Sequence, residues 1–135
     1  MIFVDTGYFL VLAELRSDLH LRARAWAAAI LEPLLITEHV LWESVNALSK
    51  PIDRPKARAL IATIESDASY ELIPASTELF KLGMQLHAAR PDKEWSLTDC
   101  ISFVVMQQRG ITRTLAHDHH FEQAGFDALL RRDPP

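Results

Sequence analysis

The sequence predicts an α/β fold in which a parallel sheet is covered by helices on both faces. Short apolar, β-branched runs alternate with longer stretches whose apolar residues recur at the three- and four-residue spacing of one helix face. The chain has 135 residues, 49% hydrophobic and 24% charged, which suits a single domain with one core over residues 1–135. No internal repeat, low-complexity tract or linker divides it.

Taken in order, residues 2–5 (Ile-Phe-Val-Asp) read as a buried strand with Asp5 at its carboxyl end, because the apolar run meets an acid and then Gly7. A helix is expected from Thr6 to about Leu15. After Ser17 a second helix aligns Leu19, Ala23, Trp26 and Ile30, and Pro33 stops it. Residues 34–37 form a second strand. From about Glu38 to Ser49 a helix turns Leu41, Val45 and Leu48 inward. Pro51 and Pro55 bracket a turn, and Pro55 suits the first position of a helix that buries Ala57, Leu60, Ile61 and Ile64. A third strand falls at residues 71–73, and Ser76 caps a helix carrying Leu79, Leu82 and Leu86 that ends near Pro91. Ser96 opens the next helix with Asp99 three residues on, where an acid favours the exposed amides. Ile101, Phe103, Val104, Val105 and Met106 make that helix apolar nearly all round, hence central, and Gly110 closes it. Residues 112–116 are the fourth strand, Asp118 follows, one short helical turn spans residues 121–124, and a last strand lies near residues 128–130.

Composition excludes several classes of function. A formal charge of −4 and a pI near 5.8 argue against a module that coats nucleic acid through a global positive field. Cys100 is the only cysteine, so neither an internal disulfide nor a cysteine-based zinc site is available. It reads as a packing residue, because no base is placed to activate it. With no signal sequence and no membrane-length apolar run, a cytoplasmic location is expected, with no membrane contact.

Ligands of open α/β sheets bind beyond the carboxyl ends of the strands, where the strand order reverses. Asp5 and Asp118 follow strands, and Asp99 opens the helix leading into the fourth strand, so three carboxylates from distant segments converge on one rim. Glu43 joins them from a helix, beside the apolar stripe. Each acid also has a plain structural role: N-cap for Asp5, capping-box acid for Asp99, solvated helix acid for Glu43, turn residue for Asp118. Their joint placement favours a site. Clustered like charges need neutralising, and hard divalent cations prefer such oxygens. His117, His119 and His120 lack the spacing of a zinc site; the segment reads as a solvated turn anchored by Phe121, with His119 or His120 within reach of a phosphate.

The segments Val4-Asp5-Thr6, Trp42-Glu43, Ser96-Leu97-Thr98-Asp99-Cys100-Ile101-Ser102-Phe103 and His117-Asp118-His119-His120-Phe121-Glu122-Gln123-Ala124-Gly125-Phe126 together resemble the PIN-domain family, most of all its VapC-type toxins. The resemblance runs from Met1 to about Leu130, in the family's order and spacing. It implies a PIN-like parallel sheet of about five strands, with Asp5, Glu43, Asp99 and Asp118 as the acidic residues that bind Mg²⁺ or Mn²⁺. It further implies divalent-metal ribonuclease activity, inhibition by a cognate antitoxin, and a homodimer; a carboxylate-held metal that activates a water for in-line attack on the phosphorus would leave a 5′-phosphate and a 3′-hydroxyl. Thr6 would stand beside the first acid as a hydroxyl contact. Gly7 and Ala116 depart from the pattern, since relatives often have Ser or Asn at the first position and Thr at the second.

Other α/β phosphotransfer domains fit less well. A haloacid-dehalogenase-like phosphatase needs a second Asp where Gly7 stands, and a response-regulator receiver needs a central phosphoacceptor Asp and a late Lys. A non-catalytic PIN-like domain that binds RNA or protein is the alternative, and the intact set of acids argues against it. Lys50, Arg54, Lys56 and Arg58, and a second pair in Arg22 and Arg24, either steer RNA phosphates or form ordinary solvated helix faces.

Overall fold

Five short strands, β1 (Ile2–Val4), β2 (Leu34–Thr37), β3 (Tyr70–Ile73), β4 (Arg113–Leu115) and β5 (Asp127–Ala128), pair in the order β3-β2-β1-β4-β5. A computed structural model describes residues 1–135. Every pairing is parallel, with Phe3 opposite Leu35 on one side and Thr114 on the other. The central position of β1 explains its composition: Ile2, Phe3 and Val4 are wholly buried, as a strand covered on both faces must be. The outer strand β3 leaves Glu71 and Leu72 exposed.

Seven helices connect and cover these strands: α1 (Thr6–Ala13), α2 (His20–Ala29), α3 (Glu38–Ala47), α4 (Arg54–Ser66), α5 (Thr77–Ala89), α6 (Leu97–Arg109) and α7 (His119–Gln123). Their starts follow the capping chemistry. Thr37 accepts the Val40 N–H and Ser76 the Leu79 N–H, while Ser96 and Asp99 form a reciprocal capping box. Gly110 ends α6 at φ 65°, a left-handed conformation that costs a glycine little.

As expected, α6 is the central helix, burying Cys100, Ile101, Ser102, Phe103, Val105 and Met106. Phe103 meets Trp95 and Phe121 edge-on, each at 5.0 Å between ring centroids, so the wholly buried Phe121 fastens α7 to α6. Several boundaries shift from the sequence-based expectation. Helix α1 ends at Ala13, not Leu15, because the chain turns there and Leu15 is left exposed. Helix α3 ends at Ala47, and its buried face is Val40, Leu41 and Ser44, with Leu48 packed from the cap position. The last strand stops at Ala128, since residues Leu129–Arg131 turn into a 3-10 helix whose Leu130 N–H donates to the Ala116 carbonyl.

Candidate metal centre

The strand order reverses at β1, so a crevice opens at the carboxyl ends of β1 and β4. Asp5 stands in it. Its N–H donates to the Leu115 carbonyl at 3.2 Å, extending the β1–β4 pairing by one residue and fixing the carboxylate at the crevice floor, 7% exposed. Asp99 arrives from the first turn of α6, Glu43 from the middle of α3 and Asp118 from the N-cap of α7. All four acids line one cavity of about 620 Å³, together with Thr6, Gly7, His117, His119 and Arg131.

The structural roles weighed from sequence coexist with this placement for two acids. Asp99 Oδ2 accepts the Ser96 N–H at 3.1 Å, and Asp118 Oδ1 accepts the His120 N–H at 3.0 Å. Asp5 occupies an N-cap position yet its side chain makes no capping bond, and Glu43 is half-buried, not solvated. A plain structural role therefore accounts for neither Asp5 nor Glu43.

No lysine or arginine pairs with any of the four acids. Burial first, and then the charge of Asp99, push the Asp5 carboxyl up to about 7; Glu43 and Asp118 add to the rise, and a hydrogen bond from the Thr6 backbone opposes it. Arg131 is the one Lys or Arg lining the cavity, but it lies 2.6 Å from Glu122 and donates to the His117 carbonyl at 3.2 Å. Four carboxylates around one cavity with no lysine or arginine partner are the donor set that Mg²⁺ or Mn²⁺ takes. A larger neighbouring cavity, about 780 Å³, contains only Glu43 of the four acids, so the metal-binding chemistry does not belong there.

Of the other residues singled out from sequence, Thr6, Gly7, His117 and His119 line the cavity, while the basic residues among them and Cys100 lie outside it. The Thr6 hydroxyl donates to the Val40 carbonyl at 3.4 Å, tying α1 to α3. A Cβ on Gly7 would lie 3.9 Å from Asp5 Oδ2, an ordinary contact, so close packing does not require glycine there. Lys50, Arg54, Lys56 and Arg58 are exposed and outside the acid cavity, with Lys56 paired to Asp53 at 3.3 Å. Arg22 is held by Asp133 and the Leu130 carbonyl, while Arg24 is exposed. Cys100 is buried, and burial pushes its thiol up, which suits packing.

Two cavity neighbours differ from the sequence reading: His120, expected in a solvated turn with a phosphate in reach, is held against the acids, and Arg131 was not singled out. His120 is largely buried, with Nδ1 3.0 Å from Asp99 Oδ2 and 3.3 Å from Asp118 Oδ2. Its position two residues after Asp118, within the first turn of a helix, is a signal that places its ring near the cap. Arg131 carries no such signal, because it reaches the crevice only through the 3-10 turn after β5.

The PIN domain profile matches residues 2–127. The chain is 30% identical over 128 residues to the 23S rRNA-specific endonuclease VapC20 of Mycobacterium tuberculosis, covering 93% of this chain and 95% of that protein. The crystal structure of M. tuberculosis VapC20, described as a sarcin-ricin loop cleaving toxin, superposes with a TM-score of 0.85 at 26% identity over 93% of this chain and 96% of the other. FitAcB from Neisseria gonorrhoeae shares the fold, with a TM-score of 0.70 at 18% identity over 95% of this chain and 96% of the other.

Proposed function

The chain belongs to the PIN-domain family, and from that premise we propose that it is a divalent-metal-dependent endoribonuclease, the toxin of a toxin–antitoxin pair. The observation that carries this reading is the convergence of Asp5, Glu43, Asp99 and Asp118, without a lysine or arginine partner, on one cavity at the switch point of the sheet. These four residues hold Mg²⁺ or Mn²⁺, and the whole chain acts as one domain. Bound there, the ion supplies Lewis-acid polarisation of a phosphoryl oxygen and a water of lowered pKa.

The protein's own groups do the rest. Asp5 supplies a carboxylate fixed at the crevice floor by the β1–β4 pairing. Asp118 has the more open carboxylate, 42% exposed against 13% for Asp99, so it faces the entering RNA strand.

Ribosomal RNA is the substrate class to assay, since the relative VapC20 is named for 23S rRNA and the sarcin-ricin loop. An antitoxin partner and a homodimer complete the reading, the latter supported by the exposed apolar side chains Trp42, Phe80 and Met84. Cytoplasmic action follows from the substrate, and no helix is long and apolar enough to cross a membrane.

The purified protein should cleave a 23S rRNA fragment containing that loop when Mn²⁺ is present, and both EDTA and the substitution Asp99→Asn should abolish cleavage. Asparagine keeps the side chain's shape while removing the charge that holds the ion. Intact activity in Asp99→Asn would leave Asp99 a cap and nothing more; metal binding and RNA binding without cleavage would favour the non-catalytic alternative.

A further inference from the structure

His120 is wedged between two of the four acids by constraints that have nothing to do with solvent. Its backbone N–H is tied to Asp118 Oδ1 at 3.0 Å, and the next residue, Phe121, is wholly buried against Phe103. The His119 ring packs beside it at 4.6 Å between centroids, and only 16% of the His120 side chain remains exposed. Held in this way, Nδ1 faces carboxylate oxygens of both Asp99 and Asp118, at 3.0 and 3.3 Å. An ionised carboxylate only accepts hydrogen bonds, so the tautomer that suits this position carries its proton on Nδ1.

One oxygen of Asp99 is thereby fully occupied. Oδ2 accepts from the Ser96 N–H at 3.1 Å and from His120, whereas Oδ1 has no protein donor. We propose that His120 is a positioning residue for the metal centre: by donating Nδ1–H to Asp99 Oδ2 it locks that carboxylate with Oδ1 free for the cation, and it clamps α7, with Asp118, onto the start of α6. The inference rests on the metal-nuclease reading above and adds to it a residue that holds ligands without being one. Partners of this kind lower the cost of assembling a site, and losing one weakens metal affinity about 10–100-fold.

The test is Mn²⁺ binding to the full chain, followed by calorimetry and electron paramagnetic resonance at one pH, with thermal unfolding of the metal-free proteins alongside. His120→Ala should bind Mn²⁺ about 10–100-fold more weakly. His120→Asn, whose amide nitrogen takes the place of Nδ1 and donates as it does, should recover most of that loss. Wild-type affinity in His120→Ala overturns the proposal. So does failure of His120→Asn to recover affinity while it remains folded, combined with a directly bonded nitrogen in the wild-type resonance spectrum, because His120 is then a ligand. Asp5→Asn is the control for the underlying reading: if it binds Mn²⁺ as tightly as the wild type, the acid cavity is not the metal site, whatever His120 does.

Discussion

Burial and the neighbouring carboxylates Asp99, Glu43 and Asp118 raise the Asp5 carboxyl from 3.8 to about 7. Between those pH values the folded protein keeps a proton that the unfolded chain releases, so this residue's contribution to stability declines as pH rises through the window. The loss is on the order of 4 kcal/mol for the metal-free protein, at 1.36 kcal/mol per pH unit. Urea unfolding in EDTA should therefore show the wild type markedly less stable at pH 8 than at pH 5, while Asp5→Asn loses much of that slope and exceeds the wild type at pH 8. Parallel pH profiles for the two proteins would mean that Asp5 is not strained by its neighbours. Adding Mn²⁺ at pH 8 should stabilise the wild type by mass action and leave Asp5→Asn largely unmoved. That an acid belongs at position 5 was legible from the end of an apolar run; its burial and its three acidic neighbours come from separate segments of the chain.

At the scale of elements, α5 and α6 make the most extensive helix pairing, and Gly83 sits in it. A Cβ built there would come within 2.5 Å of Ile101 Cγ1 and 3.2 Å of Leu97 Cδ1. Replacing a helix-interior glycine with alanine ordinarily stabilises by up to about 1 kcal/mol. Here the sign should reverse: Gly83→Ala should destabilise by about 1–3 kcal/mol through overpacking, read as a lower denaturation midpoint at unchanged m-value. A gain in stability would show that the helices separate freely. The apolar spacing of Leu79, Leu82 and Leu86 identified α5 as amphipathic, but nothing in that spacing distinguishes a glycine that thins the interface from one that merely weakens a helix. The same holds for His120, whose place in the first turn of α7 is local and whose contact with Asp99 depends on how α7 docks against α6 through Phe121.

For the whole molecule, the exposed apolar side chains predict self-association. Trp42, Phe80 and Met84 expose 57%, 50% and 42% of their surface, large fractions for apolar side chains in so small a domain. Light scattering at micromolar concentration should give twice the 15.3 kDa chain mass, and a solution holding only monomer would remove the homodimer from the proposal. The sequence by itself determined the alternation of strands and helices, the central burial of α6, and three acids, Asp5, Asp99 and Asp118, at a strand end or helix start, with Glu43 on the border of a helix's apolar stripe. These follow from periodicity and capping, which act over a few residues and so are written locally. Tertiary structure alone decided the strand order β3-β2-β1-β4-β5, and with it the crevice where Asp5, Glu43, Asp99 and Asp118 share one cavity. It also decided that Arg22 is tied to the C-terminal segment while Arg131 reaches the site, and that His120 stands between two carboxylates. The physical reason is that charge repulsion, desolvation and side-chain hydrogen bonds depend on distances between residues up to 126 positions apart, the interval from Asp5 to Arg131, and only the packed sheet and its covering helices set those distances.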